Sequence, residues 1–461
     1  MRNAEPPATL RARLHAVLAP VQSAARAGEI SAAWLRAERS DFVRFNRGRV
    51  RQCGTVERFV LELRLIAQGR QARRSLVLGG DAAGDAAGVA RGFEFLRAML
   101  AQSPPDPFLS IDEAASGSVA VHAARLADVD DVTDTVCEAA AGADLVGFYA
   151  GGPVACAFVS SLGHLHWHES HDWTLDYAVY AQPGDGGGGE SAVSRDKAVK
   201  ATLGGNDWDG ARVRASIAQA VDRASVLLRP SRRLQPGRYR AYLAPRAVAD
   251  LLGMLGWGGF SARAHASGQS PLARLASGEA AFDPRVNLLE DLRGAGVPQF
   301  QTDGFLRPAR LQLVREGAYA GTLVSPRSAR EFGLPGNGAC DAESPEALSL
   351  SAGDLDEQQA LRRLGTGIAV SNLWYLNFSD RHACRITGLT RFATTWVQDG
   401  EIAGPVDVMR FDDSLYRVLG EELEALTNRA HRFPNTDTYD GRTFGAATAP
   451  GALLRGLSLT L

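Results

Sequence analysis

The sequence has few of the features that stabilise secreted domains or anchor a chain in a membrane. Its 461 residues include only five cysteines, which are widely spaced and never form a Cys-x-x-Cys pair. An odd set of scattered thiols is typical of a reducing compartment, where cysteine acts as a small apolar residue. No uninterrupted apolar run approaches the ~20 residues that span a bilayer. We therefore predict a cytoplasmic protein with free cysteines and no membrane segment.

An excess of charge is also missing. The 50 basic residues are balanced by 52 acidic ones, for a formal net charge of −2. Proteins that bind nucleic acid through a positive field need an excess of Lys and Arg, so nucleic acid is not an expected partner. We do not expect the basic N-terminus to act as a signal peptide, because Arg11, Arg13 and His15 interrupt any apolar segment.

Several common catalytic motifs are missing too. The glycine clusters GGDAAG and GWGGF match neither a P-loop nor a dinucleotide-binding fingerprint, and no Gly-x-Ser-x-Gly occurs. Cys384 stands two residues after His382, and on a strand the two would share a face, but no third group orients them. We assign no catalytic residue to this chain.

The periodicity of apolar residues predicts an α+β protein. Mixed α/β regions over residues 1–110 and 111–229 precede a β-rich region over 230–461, and the proline-containing run LRPSRRLQPGRYRAYLAP marks the last boundary. The segment Gly184–Ser194 contains GDGGGG, which is too costly in backbone entropy for a core element. We predict an exposed hairpin loop there.

Residues 369–416 are the most informative stretch. Aromatic and β-branched residues recur between short polar turns, which predicts a series of strands. Asp399-Gly400 indicates a hairpin, because a type I′ turn needs positive φ at both central positions. Asp412-Asp413 precede SLYRVLGEELEAL; they could form an acid–base pair, but we favour a cap on a helix over that segment.

These residues resemble the TldD/PmbA family, a heterodimeric zinc metalloprotease of bacteria and archaea. The matching features are the strand at Asn372-Leu373, the run Thr387-Gly388…Thr390-Arg391, the hairpin Trp396…Asp399-Gly400-Glu401-Ile402, and the strand from Pro405. The resemblance implies small and central α/β regions followed by a β-rich C-terminal domain. It also implies a role in degrading small or unfolded peptides.

In the metal-bearing subunit of that family, zinc is held by a helical His-Glu-x-x-x-His motif and a cysteine near the C-terminus. Such a site needs two imidazoles one helical turn apart and a carboxylate that deprotonates the bound water. The corresponding window, before residues 272–279, has His265 as its single histidine, and the tail has no cysteine. The chain therefore resembles the PmbA (TldE) type subunit, with no cofactor of its own. Zinc would belong to a TldD-like paralogue that is its heterodimer partner.

The resemblance also implies a peptide groove along the C-terminal sheet. We predict that Asn372, Arg385, Thr387 and Arg391 bind substrate there, with a peptide added as an extra strand and arginines holding its carboxylate. The alternative is that these arginines pair with Asp380, Asp399 and Glu401, inside the sheet or across the dimer.

A histidine-rich strand keeps a second function open. His164, His166 and His168 would share one face of a strand, a geometry that can bind zinc or nickel, although a packing or solvated face looks the same. The alternatives to a protease subunit are therefore a stand-alone hydrolase that uses this cluster, or a non-enzymatic peptide-binding scaffold.

Overall fold

The computed structural model describes residues 10–182 and 197–460, so the predicted glycine-rich loop at Gly184–Ser194 lies outside the described residues. The first half of the chain alternates helices with long strands. Its elements are α1 (Leu10–Gln22), β1 (Glu29–Asn46), β2 (Arg49–Ala67), β3 (Arg70–Val77), α2 (Ala82–Gln102), β4 (Gly117–His122), α3 (Val129–Ala139), β5 (Asp144–Ser160), β6 (Leu165–Tyr180), β7 (Ala198–Gly205) and α4 (Gly210–Val226).

These strands form one sheet in the order β3-β2-β1-β5-β6-β4, with β7 also paired to β6. Because side chains alternate along a strand, β1 has two different faces. Leu35 and its neighbours on one face join the core formed with α1 and α2. Trp34 and Arg36 lie on the opposite face, which the second half of the chain covers. Strands on both sides of residue 110 belong to this sheet, so the regions 1–110 and 111–229 share a core.

The second half of the chain is richer in short strands. Its elements are β8 (Gly237–Leu243), α5 (Pro245–Leu255), α6 (Ala262–Ala266), α7 (Ala273–Ala276), β9 (Leu288–Asp291), α8 (Leu292–Ala295), β10 (Arg310–Arg315), β11 (Ala318–Tyr319), α9 (Pro326–Phe332), β12 (Leu348–Leu350), a 3₁₀ turn (Glu357–Gln359), α10 (Ala360–Leu364), β13 (Gly367–Val370), β14 (Trp374–Asp380), β15 (Arg385–Leu389), β16 (Thr394–Gln398), β17 (Glu401–Pro405), β18 (Arg410–Ser414), a π turn (Arg417–Glu421), β19 (Leu423–Pro434) and β20 (Ala446–Leu459).

These strands form a second sheet around the central strand β20. The main order is β11-β10-β9-β12-β20-β8-β13-β16-β17, while β18 and β19 also pair with β20 and β15 links β14 to β18. The helix α5 begins with Pro245 at its first turn and buries an apolar stripe that includes Leu251 and Leu255 in the core of this sheet. The predicted fold class, α+β with a β-rich C-terminal region, is confirmed. Across residues 10–182 and 197–460, the helices are too short or too polar to cross a membrane.

The predicted Asp399-Gly400 hairpin is confirmed. Asp399 has φ 53° and Gly400 has φ 83°, and the two residues connect β16 to β17. Both angles are positive, as a type I′ turn requires, and aspartate tolerates this region better than most residues with a Cβ.

The predicted helix after Asp412-Asp413 is wrong. Both aspartates lie in strand β18, only one π turn follows, and β19 begins at Leu423. The buried carboxylate of Asp413 accepts hydrogen bonds from the backbone N–H of Ser414 (2.9 Å) and Ser458 (3.1 Å). Tertiary pairing of β18 and β19 with β20 overrides the helical pattern of the segment, and Gly420 leaves helical geometry with φ −113° and ψ −113°.

Candidate functional site

A cleft lies between the open face of the N-terminal sheet and α5. Its larger cavity has a volume of about 750 Å³ and is lined by β1 residues such as Trp34 and Arg36, by the segment around Phe300, and by α5. A smaller cavity of about 430 Å³ includes Asn372 and Trp374. Both volumes fall in or near the range of small-ligand sites. We refer to the two together as the interdomain cleft.

The helix α5 belongs to both cavities. Arg246, Ala249, Asp250 and Gly253 line each of them, as does Trp257 just after the helix. These positions recur at a spacing of three or four residues, so they form one face of the helix, opposite the stripe buried in the sheet. The cleft is therefore organised around a single helical face.

An ion pair occupies the polar part of that face. Arg246 Nε donates to Asp250 Oδ1 at 2.9 Å, and Asp250 Oδ2 accepts the backbone N–H of Leu373 at 3.1 Å. Burial raises the pKa of the Asp250 carboxyl, while Arg246 opposes the shift. Arg246 also donates to Thr202 Oγ1 at 3.3 Å, in strand β7. The pair thus links α5 both to the Asn372-Leu373 segment and to the N-terminal sheet.

Cations and aromatic rings form the wall of the smaller cavity. Lys200 Nζ lies 5.6 Å from the ring centroid of Trp374 and 5.3 Å from that of Phe392. The Arg391 guanidinium lies 5.4 and 5.1 Å from the same rings, which contact each other edge to face at 5.7 Å. Phe392 adopts φ 76°, a strained conformation for a bulky residue. Such a wall can contact apolar side chains and attract negative charge.

The structure brings together only two of the four predicted substrate residues. Asn372 lines the smaller cavity, and Arg391 contacts its aromatic wall. Arg385 and Thr387 lie on β15 and are not among the described residues that line either cavity. The Arg385 guanidinium pairs with Asp412, and Thr387 Oγ1 donates to the Phe411 carbonyl at 3.0 Å.

The residues of α5 do not fit a zinc site. The helix has the sequence PRAVADLLGML, without histidine. His265 lies in α6, with Nε2 2.9 Å from the Gly259 carbonyl and 2.9 Å from the Tyr319 hydroxyl. Burial lowers the pKa of His265. Within the described part of the chain, no three His, Cys, Asp or Glu side chains are grouped to hold a metal ion.

The three histidines of the predicted metal cluster are buried. His166 has serine hydroxyls within hydrogen-bond distance of both ring nitrogens, Ser118 at 2.8 Å and Ser116 at 3.0 Å. His164 Nδ1 lies 2.7 Å from Ser160 Oγ. His168 Nε2 donates to the Gly296 carbonyl at 3.1 Å.

The rings of two of these histidines contact the second half of the chain. His166 stacks on Phe300 with a centroid distance of 5.0 Å, and His168 meets Phe444 edge-on at 4.8 Å. The sequence predicts that His164, His166 and His168 share one face of a strand. His166 and His168 do share a face of β6, whereas His164 lies before the strand begins at Leu165. The face that carries His166 and His168 packs against a protein surface. The aromatic partners are more than 100 residues away in the chain, so no local pattern points to this role.

All five cysteines are free, as predicted. Cys384 and His382 lie in a turn, not on a strand, and differ in environment: the thiol is buried and the imidazole is exposed. Burial raises the pKa of the Cys384 thiol to about 12, so it is not a thiolate at neutral pH.

Three cleft residues are not identified by the sequence patterns, namely Arg36, Gln301 and Arg307. Arg36 carries a usable signal, because it shares a face of β1 with the large aromatic residue Trp34, which is unexpected on a face that meets only solvent. The other two lie in a segment without a regular pattern and could not be found in this way.

Comparison with known proteins supports one family. Residues 236–461 match the model of the PmbA/TldA metallopeptidase C-terminal domain. No curated protein sequence matches the chain significantly.

Solved structures show the same fold at low sequence identity. A putative modulator of DNA gyrase from Thermotoga maritima has a TM-score of 0.73 at 15% identity, covering 98% of this chain and 100% of that one. TldE from Thermococcus kodakarensis has a TM-score of 0.72 at 12% identity, covering 97% and 100%. A putative modulator of DNA gyrase from Bacteroides thetaiotaomicron has a TM-score of 0.71 at 15% identity, covering 98% of each chain.

Proposed function

Because the chain belongs to the TldD/PmbA family, we propose that it is the subunit without metal in a heterodimeric peptidase that degrades small or unfolded peptides. The observation that carries this proposal is the composition of the cleft face of α5. The face presents an Arg246–Asp250 ion pair, where a zinc peptidase needs paired imidazoles and a general base. A TldD-like paralogue would supply zinc, activated water and base.

The role of this chain would be to bind and orient peptide. Strand β14 pairs with β15, and no other described strand pairs with it. An extended peptide can add to such an edge through main-chain hydrogen bonds, which tolerate many sequences. Trp374 and Leu376 of this strand line the smaller cavity, next to Asn372. Arg391 would attract a carboxylate of the peptide.

The cleft would also keep folded proteins away from the partner's zinc, because only an unfolded segment would reach its interior. We place this activity in the cytoplasm, since five free cysteines suit a reducing compartment.

The proposal is tested by reconstitution with a paralogue that carries His-Glu-x-x-x-His. The isolated chain should contain substoichiometric zinc after desalting and should cleave unstructured peptides no faster than buffer. The mixture should form a heterodimer whose peptidase activity is lost on chelation or when the paralogue's Glu is replaced, because that Glu is the general base. Chelator-sensitive cleavage by the isolated chain would overturn the proposal.

A pair of matched variants locates the groove. Arg391→Gln should raise KM several-fold with little change in kcat, because the residue orients peptide without taking part in chemistry. Arg385→Gln removes the same charge from a residue that pairs with Asp412 outside both cavities, and it should leave KM within twofold. The opposite pattern would move the groove to β15.

Two other functions make different predictions. If the histidine strand binds metal, one zinc per chain should disappear in a His166→Ala/His168→Ala variant; the buried, hydrogen-bonded imidazoles argue against it. If the chain is a scaffold, it should fail to associate with any zinc-bearing paralogue.

A further inference from the structure

One of the chain's two lysines lines the smaller cavity of the interdomain cleft. Lys197 and Lys200 are the only lysines among the 50 basic residues, and Lys200, on β7, belongs to the cavity lining. Its ammonium carries three hydrogen-bond donors. Among the described residues its contacts are the rings of Trp374 and Phe392, 5.6 and 5.3 Å from Nζ, and it makes no hydrogen bond or ion pair with any of them. The described part of the protein therefore leaves all three donors unused.

A second polar group in the same cavity also lacks a partner. Asn372 is 7% exposed and lines the cavity, and its side-chain amide makes no hydrogen bond with the described residues. Buried amides are nearly always hydrogen-bonded. Neither this amide nor Lys200 Nζ is among the polar atoms that are wholly buried without a partner, so both keep accessible surface. The cavity thus offers two polar groups that a ligand can reach.

Contacts of α5 connect these two groups. Asp250 Oδ2 accepts the backbone N–H of Leu373, the residue after Asn372, at 3.1 Å. The same carboxyl is within reach of the Lys200 charge: burial raises its pKa, and the positive charges of Arg246 and Lys200 oppose that shift. The Lys200 ammonium also contacts the ring of Trp374, two residues after Asn372. Lys200 and residues 372–374 therefore border the same part of the cavity.

The charges in the cavity lining leave one cation unbalanced. The described lining residues include two cations, Lys200 and Arg246, and one carboxylate, Asp250. Asp250 has both oxygens engaged, Oδ1 by Arg246 Nε at 2.9 Å and Oδ2 by the Leu373 N–H. Because Arg246 and Asp250 neutralise each other, the Lys200 ammonium is the charge left over. Such a cavity favours a ligand with a single negative charge.

The neighbouring strand indicates how such a ligand would be presented. Trp374 and Leu376 of β14 line the cavity, and no described strand other than β15 pairs with β14. A peptide added to the free edge of β14 would run past the cavity and direct alternate side chains to one face. A carboxylate on a short aliphatic stem suits the site, because the stem can lie on the rings while the charge meets the ammonium. An acidic side chain has this form at an internal position of a peptide.

We propose that the smaller cavity is a specificity site for an acidic side chain, Asp or Glu, of a peptide bound along β14. The Lys200 ammonium holds the carboxylate, the Asn372 amide is a second donor, and the stem lies against Trp374. The site rests on the proposed function only in taking a peptide as the ligand. It would make the cleft select peptides by an internal acidic residue, in addition to their main chain.

Calorimetric titration of the isolated full chain tests the site. The probes are N-acetyl-Ala-Val-Glu-Val-Ala-amide, which has no charged terminus, and the same peptide with Gln in place of Glu. The Glu peptide should bind at least tenfold more tightly than the Gln peptide, because its carboxylate gains a charge-assisted hydrogen bond. Lys200→Met keeps the length of the stem and should reduce the affinity for the Glu peptide to that for the Gln peptide.

The other lysine provides the matched control. Lys197 is not among the described residues that line either cavity. Lys197→Met should therefore retain the tenfold preference for the Glu peptide, and both variants should melt at a temperature similar to that of the wild type. Equal affinity for the Glu and Gln peptides, no binding of either, or a preference that survives in Lys200→Met would overturn the inference.

Chemical modification tests the position of the carboxylate without any substitution. Because the chain has only two lysines, acetylation by acetic anhydride can be followed at each of them by mass spectrometry. The Glu peptide at saturation should slow acetylation of Lys200 several-fold and leave that of Lys197 unchanged. Equal protection of both lysines, or of neither, would contradict the proposal.

Two further probes distinguish the source of the negative charge. The Gln peptide with a free C-terminal carboxylate should bind no more tightly than its amide. If it instead binds as tightly as the Glu peptide and protects Lys200, the site belongs to a chain end and the inference is wrong. Inorganic phosphate that displaces the Glu peptide at micromolar concentration would also overturn it.

The outcome is separable from that of the proposed function. Heterodimer formation and peptidase activity without a preference for the Glu peptide would reject the specificity site alone. A Lys200-dependent preference in a chain that associates with no zinc-bearing paralogue would retain the site and reject the subunit role.

Discussion

At the scale of single residues, the contact between the two halves depends on polar side chains that are fully used. Arg442 donates to the Ser40 hydroxyl at 3.0 Å and to the Gly152 carbonyl at 3.1 Å, and it also pairs with Asp172. The Asp303 carboxylate forms ion pairs with the guanidinium groups of Arg64, at 2.8 Å, and Arg73, at 2.7 Å. Buried charges are tolerated only with partners of this kind. Removing one member of a pair should therefore destabilise the protein by more than the intact pair stabilises it, because the remaining charge stays buried without a partner.

His168 gives this contact a pH dependence. Burial, helped by nearby His122, lowers its pKa from 6.5 to about 4. Above pH 6.5 the imidazole is neutral in both the folded and the unfolded chain, so its titration does not reduce the free energy of unfolding. Between pH 6.5 and about 4 the unfolded chain binds a proton that the folded chain does not, so folding stability falls as the pH falls.

We therefore expect the free energy of unfolding to decrease by up to about 3 kcal/mol over that interval through this one residue. Urea unfolding at several pH values should show that His168→Gln lacks this component. His382→Gln, at an exposed position, should retain it. Identical pH profiles for the wild type and His168→Gln would contradict the expectation.

At the scale of elements, turn chemistry defines the C-terminal hairpin. Gly400 has φ +83°, and a Cβ built there would lie 3.0 Å from Arg362 Cα. Asp399 tolerates positive φ, but alanine at the next position would meet both backbone strain and a fixed neighbour.

Gly400→Ala should therefore destabilise the protein by about 2 kcal/mol or more, since the strain alone costs about 1–2 kcal/mol. Gly278→Ala is the matched control, because Gly278 has φ +78° and a Cβ added there would meet no described atom within 4 Å. The control variant should be destabilised only by the backbone strain of alanine at positive φ. Thermal melts of both variants measure the difference, and equal losses would show that the Arg362 contact adds nothing.

At the scale of the whole molecule, the segment around Phe300 packs against the N-terminal sheet and stabilises the contact between the two halves. Phe300 is 3% exposed and lies between His166, at 5.0 Å, and Trp34, at 5.8 Å. Gly304 lies in the same segment of the chain and has φ +89°. A Cβ built there would lie 2.2 Å from the ring of Phe158. The cleft is thus held in shape by a rigid, tightly packed contact.

Phe300→Ala should lower the free energy of unfolding by about 3–5 kcal/mol, because it leaves a cavity between the sheets. Phe332→Ala in α9, where the ring is 37% exposed, should cost less than about 1 kcal/mol. Denaturant unfolding measures both. A small effect of Phe300→Ala would mean that the halves are held together elsewhere.

Local patterns predicted a large part of the fold. The Asp399-Gly400 hairpin was predicted from the φ requirement of its turn. The helix predicted over residues 414–426 failed, because β20 recruits Leu423 and Leu426 into strand pairing that no local pattern reveals.

The structure separates the residues of the predicted substrate site. Asn372 lines the smaller cavity and Arg391 contacts the Trp374 ring in its wall, whereas Arg385 pairs with Asp412 on the neighbouring strand. Side-chain alternation identifies the face on which a residue lies, but only strand order decides what stands opposite that face.

The sequence by itself determined the resemblance to the TldD/PmbA family, the α+β class, the scattered free cysteines and the turn at Asp399-Gly400, because each can be recognised from local sequence. The tertiary structure decided that the histidine strand is an internal contact, and that Arg36 shares a cavity with Gln301 and Arg307. Arg36 is separated from the other two by more than 260 positions, so only tertiary packing places the three residues in the lining of one cavity.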